Sequence, residues 1–281
     1  TIRMNKTGYI EFEITPYVPL YLSVKWSNAT GGTQTFRIGR GQSQKFYYNS
    51  TSATDQEIII PYASQIKRLD NLSNLNPSSC ILSNAKKLTE IEIHSSELYN
   101  INVTNNKYLR SVNLENCVAL GTVTATQSSL DLSECKYLRY CNIKNTALTD
   151  VQLNSSWGSL REIYYPITIQ SVQLIKQRLL EVVGLPTDLC TSLYTVNIED
   201  CPNIKRLNTS SNEEEAKSFT SMAYCRDLTL KNSLNLSSLN LDVFYNLIKL
   251  KIENIDNLES VNFNDLLEIG KTPTIKYIGL V

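Results

Sequence analysis

The side chains that could carry catalysis or hold a metal are few, and their spacing matches no known site. A single histidine, His94, serves all 281 residues, which excludes multi-histidine metal centres and leaves little room for a Ser-His-Asp or Cys-His apparatus. The seven cysteines include no Cys-x-x-Cys pair, and we interpret them as small buried residues that stay reduced. The sequence therefore predicts no catalytic residue, no cofactor and no metal site.

Two glutamates form the one arrangement with acid–base potential. Glu90 and Glu92 are two residues apart on a predicted strand, so their side chains share a face at a separation of about 6.5–7 Å. That separation overlaps the carboxylate spacing of inverting glycosidases. An open strand face offers no pocket that could desolvate either acid, so we predict that the protein is not an enzyme. A glycan-active enzyme is kept as the second alternative.

Charge and hydropathy exclude two classes of partner. Lys+Arg and Asp+Glu number 27 each, so the chain has no bulk attraction for nucleic acid or for an anionic membrane. No apolar run approaches the roughly 18 residues that a transmembrane helix needs. We expect neither nucleic-acid binding nor membrane insertion. The chain begins at Thr1 without the pattern of a signal peptide, which we expect to be absent or already removed.

Residues 1–65 predict a small antiparallel β-sandwich. Apolar and polar residues alternate in GYIEFEI and LYLSVKW, and the segments TFRI, QKFYY and EIII follow, separated by turn-forming stretches. Five short strands at this spacing favour a sandwich. About 60 residues is small for an independent core, so we expect this domain to pack against the rest of the chain.

From residue 66 to residue 281 the dominant signal is a repeat of Leu-x-x-(Ile/Val/Leu)-x-(Ile/Leu/Val). Two copies, KYLRSVNL at 107–114 and KYLRYCNI at 136–143, show the skeleton clearly, and steps of ten to twelve residues dominate. The last two apolar positions of a copy share one strand face, so each copy makes one strand and one corner. Two copies make a coil of about 22 residues, and stacked coils join their apolar rows into one core.

The register of this predicted solenoid can be stated residue by residue. Leu114, Ile143 and Ile198 are expected to be almost fully buried. Three cysteines follow the last apolar residue of a strand by three positions, where they are expected to fill the corner: Cys117, Cys135 and Cys201. Two segments that interrupt the repeat, 170–183 and 212–223, are predicted as inserted helices, the second with Asn212 as its N-cap and Glu213–Glu215 in its first turn.

With this skeleton and its corner cysteines, residues 66–281 resemble leucine-rich-repeat proteins of the Asn/Ser/Thr-rich type found on the surfaces of gut Bacteroidetes and in their phages. In that group a short Ig-like domain, of the polycystic-kidney-disease type, often precedes the repeats. The segment VKWSNATGG falls where such domains carry a Trp-Gly-Asp-Gly turn, but Trp26 is followed here by Ser27 and Asn28. The resemblance implies adhesion or partner recognition without catalysis. The expected fold is thus mainly β: a leucine-rich-repeat solenoid of parallel strands, a small N-terminal antiparallel β-sandwich, and one or two inserted helices.

Alternate half-turns assign the outward side chains to two faces. The copies of one face start at Leu88, Leu109, Gln127, Leu148, Ile169, Leu193, Cys225 and Leu247. Those of the other face start at Leu98, Leu120, Leu138, Leu160, Ile204, Leu236 and Leu258. The second face carries a row of asparagines, which can stack as an amide ladder, and two outward tyrosines. The alternative to a purely structural ladder is a recognition patch, because aromatics beside amides and charges suit glycan stacking or protein contacts. The predicted partner-binding residues are Tyr140, Asn142, Lys144, Glu162 and Tyr164.

These features favour a non-catalytic binding or adhesion module that presents polar strand ladders to a protein or polysaccharide surface, extracellular or at a bacterial cell surface. The alternative is a structural component of a bacteriophage particle, such as a tail, baseplate or fibre protein, located in the virion. The gene neighbourhood distinguishes the two.

Overall fold

A computed structural model gives the fold. It describes residues 1–26, 32–50, 56–125, 127–154, 158–186, 190–208, 219, 222, 224–233, 238–241, 243–244, 246–255, 258–262 and 277–280. Across these residues the regular structure is β, apart from two 3₁₀ turns at Ala63–Gln65 and Leu72–Leu75. The chain divides into two compact units, Thr1–Leu148 and Thr149–Val281, which are described in turn.

Two sheets of the first unit enclose an apolar core. Its strands are β1 (Ile2–Met4), β2 (Gly8–Pro16), β3 (Leu20–Trp26), β4 (Thr33–Ile38), β5 (Gln44–Ser50), β6 (Gln56–Ile59), β7 (Ile66–Asp70), β8 (Pro77–Ile81), β9 (Glu90–Glu92), β10 (Asn100–Asn102), β11 (Ser111–Asn113), β12 (Ser129–Leu132) and β13 (Tyr140–Asn142). One sheet has the order β10-β8-β1-β6-β3-β4, and the other includes β13-β11-β9-β7-β2-β5. Phe12 of the second sheet meets Trp26 of the first edge to face, with ring centroids 6.0 Å apart.

The repeat strands of this unit are parallel and form a β-solenoid. β7, β9, β11 and β13 run parallel in one sheet, while β8 and β10 run parallel in the other. The inward residues of the predicted register are buried: Leu114 and Ile143 are 0% exposed, as predicted. Period-two alternation thus places the apolar rows inside and leaves the remaining side chains on the outer face.

The N-terminal strands extend both solenoid sheets. β1 pairs antiparallel with β8 through Ile2 and Cys80, and β2 pairs antiparallel with β7 through Glu13 and Asp70. The strands predicted before residue 60 are therefore present, and they continue the sheets of the first repeats by hydrogen bonding. A separate Ig-like domain ending at residue 65 stays a prediction.

The second unit is also a parallel β-solenoid. Its strands are β14 (Asp150–Leu153), β15 (Glu162–Tyr164), β16 (Ser171–Ile175), β17 (Val182–Leu185), β18 (Thr195–Glu199), β19 (Arg206–Asn208), β20 (Asp227–Lys231), β21 (Ser238–Asn240), β22 (Lys249–Glu253), β23 (Ser260–Asn262) and β24 (Tyr277–Leu280). β16, β18, β20, β22 and β24 follow one another in one sheet, β15, β17 and β19 in another, and β21 pairs with β23. Ile198 is 0% exposed, as predicted.

The helix predicted at 170–183 is wrong, because the segment forms β16 and the start of β17. Val172 and Leu174 are both buried and pair with Val196 and Ile198 of β18, which is a period of two. Leu179, expected on the buried helical face, is 46% exposed. The neighbouring coils supply strand partners along this segment, and sheet pairing overrides the local helical spacing. The helix predicted at 212–223 lies outside the described residues, except for the buried Phe219 and Met222.

The predicted assignment of repeats to two faces fails in the first unit. Ser111 pairs with Glu90, which lies 21 residues earlier, but Tyr140 pairs with Ser111 across 29 residues. The copies starting at Leu120 and Gln127 both fall within this longer coil, and only the second forms a strand, β12. Val123, expected to point inward, is fully exposed. The copies starting at Leu88, Leu109 and Leu138 therefore share one sheet.

Polar corners hold the coils together. Corner residues with positive φ include Asn116 and Asn145, and the amide of Asn145 donates to the side-chain oxygen of Asn116 at 2.8 Å. In the second unit Asn254 donates in the same way to Asn232 at 2.9 Å. Asparagine tolerates this left-handed conformation better than most residues. Amide contacts therefore link successive coils at the corners, and at the strand centres of the second unit the amide of Asn197 donates to the side-chain oxygen of Gln173 at 3.1 Å. The predicted row of asparagines along the second face stays a prediction.

Two of the predicted corner cysteines, Cys117 and Cys201, belong to a wider set of buried hydrogen-bond donors. The thiol of Cys117 donates to the carbonyl of Ile93 at 3.2 Å, and the hydroxyl of Ser233 donates to the carbonyl of Ile198 at 3.0 Å. In each case the donor satisfies a carbonyl of the preceding coil, which would otherwise be buried without a partner. Ser95, Asn106 and Gln177 are buried and donate in the same way to carbonyls of earlier coils, those of Pro77, Ala85 and Asn154.

Candidate functional site

The candidate site is the outer face of the sheet formed by β7, β9, β11 and β13. Its first row follows the register Arg68, Glu90, Ser111 and Tyr140. These side chains line a groove of about 520 Å³, together with Asp70, Asn71, Ser73, Asn74, Glu92 and Asn113. We call this the sheet groove. Parallel strands bring these residues together because neighbours in the register lie about 4.8 Å apart.

Arg68 is the cationic centre of the sheet groove. Its guanidinium bonds to the Asp70 carboxylate at 2.8 Å and lies 3.7 Å from the Glu90 carboxylate. Its side chain is still 45% exposed, so a fork of N–H groups can reach a partner. The exposed Arg68–Asp70 ion pair adds little to the free energy of unfolding. It does fix the direction in which the guanidinium points. The groove therefore combines one oriented cation, several carboxylates and one aromatic ring.

The asparagines at the far ends of these strands serve the backbone. The side-chain oxygen of Asn113 accepts from the N–H of Glu115 at 3.3 Å, and that of Asn142 accepts from the N–H of Lys144 at 3.1 Å. Asn142 is 6% exposed, and its amide donates to the Glu115 carboxylate at 3.1 Å. These Asx turns direct the chain into the corner, so the amide of Asn142 is used within the fold.

His94 lies beside the acidic end of the same sheet. Its Nδ1 is 2.9 Å from the carbonyl of Glu115 and its Nε2 is 3.2 Å from the carboxylate of Glu92. Both partners are acceptors, so the geometry suits the doubly protonated imidazolium. Partial burial lowers the pKa of His94, but the hydrogen bonds to Glu115 and Glu92 and their charges outweigh it, so the pKa is raised above 6.5.

The predicted partner-binding residues fall in both units. Tyr140 lies in the sheet groove, with Asn142 and Lys144 following it in the first unit. Glu162 and Tyr164 lie on β15 of the second unit, where the Tyr164 hydroxyl donates to the Glu162 carboxylate at 3.1 Å. The Tyr164 ring packs directly over Gly184 of β17. A Cβ at Gly184 would lie 2.3 Å from that ring, so a larger residue would not fit there.

Sequence reasoning missed the contribution of β7 to the groove. Arg68 and Asp70 precede the first clear copy of the repeat, and the face assignment separated Tyr140 from Glu90. The missing information is the long coil between β11 and β13. The one available signal was the pair of charged residues Arg68 and Asp70 on either side of the apolar Leu69.

Glu90 and Glu92 keep their predicted side-by-side arrangement, but both carboxylates are open to water. Their side chains are 53% and 71% exposed. Exposed carboxylates can form hydrogen bonds and ion pairs with a partner that binds to this face.

The cysteine thiols are unsuited to reaction or metal binding. All seven are buried as free cysteines, and burial raises the pKa of Cys141 and of Cys80 to about 12. Thiols in this state remain protonated at neutral pH and are poor nucleophiles and ligands. Over the described ranges, no three His, Cys, Asp or Glu side chains stand together in a way that could hold a metal ion.

In the described part of the chain no helix has the length and hydropathy to span a membrane.

Comparisons with protein-family models, with curated proteins and with solved structures find no match to this chain.

Proposed function

We propose that the protein is a non-catalytic binding module that recognises a protein or polysaccharide surface through the sheet groove. The observation that carries this proposal is the open groove of about 520 Å³ whose first row runs from Tyr140 through Ser111 and Glu90 to Arg68. An amphipathic ring and an oriented guanidinium that line the same groove are residue types typical of binding hot spots. The rigid ladder beneath holds these groups in place without a loop that must be ordered on binding.

The proposal includes the fold family and the setting. We interpret the solenoid as a leucine-rich-repeat type, supported by the apolar rows and by the small corner residues at Cys117 and Cys201. The N-terminal strands would then serve as an Ig-like cap on the first coil. The module would act outside the cell or at a bacterial cell surface. A structural role in a phage particle is the alternative, which genes for tail or baseplate proteins beside this gene would favour.

The test replaces the two predicted recognition tyrosines. In the variant Tyr140→Ala, Tyr164→Ala, binding to a partner captured on a glycan array or in a pull-down should weaken by about thirtyfold, as for the loss of a hot spot worth about 2 kcal/mol. The single variant Tyr140→Ala separates the sheet groove from β15, where loss of the Tyr164 ring also removes packing over Gly184.

The matched control is Tyr21→Ala on β3, a tyrosine that is 69% exposed and lies outside the groove. It should bind as the unaltered protein does. Unchanged binding of the double variant, with the β-sheet circular dichroism intact, would refute the proposal.

A further inference from the structure

A second surface of the first unit carries stacked tyrosines at the edge where its parallel strands begin. The rings of Tyr108 and Tyr137 stack with centroids 6.0 Å apart and planes 13° apart. The ammonium of Lys87 lies 4.3 Å from the centroid of the Tyr108 ring and 5.4 Å from that of Tyr17. Tyr108 and Tyr137 are 44% and 52% exposed, so a row of hydroxyls and ring edges faces the solvent.

Cations flank the stacked tyrosines in two successive coils. The N–H of Arg139 donates to the carbonyl of Arg110 at 2.8 Å, so the two arginines are neighbours in the ladder, about 4.8 Å apart. Both are exposed, as are Lys107 and Lys136 on the other side of the tyrosines. The basic edge is defined as Lys107, Tyr108 and Arg110 of one coil with Lys136, Tyr137 and Arg139 of the next.

Three cations of the basic edge are not neutralised by neighbouring acids. Residues 107–111 and 136–140 contain no acidic residue, and no carboxylate of the described residues forms an ion pair with Lys107, Arg110 or Arg139. Glu134, the closest acid in sequence, lies at the corner before Lys136, where its carboxylate accepts from the N–H of Asn105 at 2.9 Å and forms no ion pair with Lys107, Arg110 or Arg139. A chain of zero net charge therefore concentrates positive charge on one edge.

We propose that the basic edge binds a linear acidic polysaccharide, a chain whose carboxylate or sulfate groups recur along its length. Recurring anions match cations that recur once per coil, and this match is the charge complementarity that selects the partner. The tyrosine hydroxyls between the cations can donate to sugar hydroxyls and to anionic oxygens. The inference rests on the proposed binding role and adds to it a second surface and a partner class.

The stacking of the rings favours a polysaccharide over single-stranded nucleic acid. Proteins that hold single strands stack successive bases on aromatic faces. Tyr108 has one face covered by Lys87 and the other by Tyr137, so it offers no face to a base. The edge and hydroxyl of the Tyr108 ring remain, and these suit a hydroxyl-rich chain.

The test measures binding of the full chain to immobilised polygalacturonate and dextran sulfate, with uncharged dextran as the reference. The unaltered protein should bind one or both charged polymers and not dextran, and binding should weaken between low and high salt. The variant Arg110→Glu, Arg139→Glu should lose at least about tenfold in affinity, since two charge-assisted contacts become repulsive. Tyr108→Phe, Tyr137→Phe keeps the ring stack and should lose a smaller factor.

The matched control is Lys25→Glu, Arg37→Glu, which makes the same charge change at exposed positions of β3 and β4. An equal loss in this control, no loss in the arginine variant, or tighter binding of an oligothymidylate at the same salt would each overturn the proposal. The Tyr140→Ala variant separates the two surfaces. If Tyr140→Ala binds polygalacturonate normally while the arginine variant does not, the proposal for the basic edge is supported. That result does not depend on whether the proposal for the sheet groove succeeds or fails.

Discussion

Gly121 should be the least replaceable glycine of the first unit. Its φ is +97°, and a Cβ at this position would lie 2.3 Å from the carbonyl carbon of Ala147 and 2.4 Å from the backbone nitrogen of Leu148. The backbone cannot give way easily, because the N–H of Ala147 donates to the carbonyl of Leu120 at 2.7 Å. In Gly121→Ala the positive φ costs about 1–2 kcal/mol and overpacking adds about 1–3 kcal/mol. The expected loss in the free energy of unfolding is therefore about 2–5 kcal/mol.

Gly41→Ala is the matched control. Gly41 has a φ of +70°, but a Cβ at this position would meet no atom within 4 Å, so only the conformational cost of about 1–2 kcal/mol applies. The effect of alanine on the unfolded chain is common to both variants, so their difference, about 1–3 kcal/mol, measures the close approach alone.

Urea denaturation followed by Trp26 fluorescence provides the assay. Trp26 is 4% exposed and packs on Phe12 and Tyr48, so it reports on the first unit. A Trp157→Phe background makes it the sole tryptophan, since the chain has two. Equal losses for Gly121→Ala and Gly41→Ala would refute the close-approach argument.

Three further outcomes are expected. Leu114→Ala should lower the free energy of unfolding by about 2–5 kcal/mol in the same assay, and a loss below about 1 kcal/mol would show that the site is not packed as described. Thiol titration without prior reduction should count all seven cysteines in urea and react slowly with the native protein; a count of five or fewer would contradict the free, buried thiols. Because the folded pKa of His94 is raised, its stabilisation is complete below pH 6.5 and declines as the pH rises through the folded pKa. The stability difference between the unaltered protein and His94→Gln should therefore shrink above pH 6.5, and a difference independent of pH would refute the imidazolium geometry.

The sequence predicts the core of this fold better than its surface. Leu114 and Ile198 could be placed inside because each strand repeats a two-residue alternation that only a buried face explains. The face assignment could not be derived in the same way. Leu120 and Leu130 are both buried, and spacing alone cannot tell whether two apolar copies occupy opposite sides of a coil or one long side.

The candidate site shows the same division. Tyr140 could be chosen from the sequence as an outward aromatic residue. That Arg68 and Glu90 line the same groove could not be predicted, because they come from strands further back along the solenoid and their place beside the groove depends on the sheet register. Likewise, the segment 170–183 has apolar residues compatible with both a helix and two strands, and the strand partner that decides between them lies beyond the local sequence.

The long coil between β11 and β13 changes which outward side chains are neighbours and leaves the buried rows in place. Tyr140 and Ser111 are paired across 29 residues, Ser111 and Glu90 across 21, yet Val112 and Cys141 are equally buried on the two later strands. An insertion at a corner can therefore change which outward side chains become neighbours while every inward row keeps its place. Lengthening or shortening single coils would let such a chain acquire new combinations of surface residues without a single substitution in its interior.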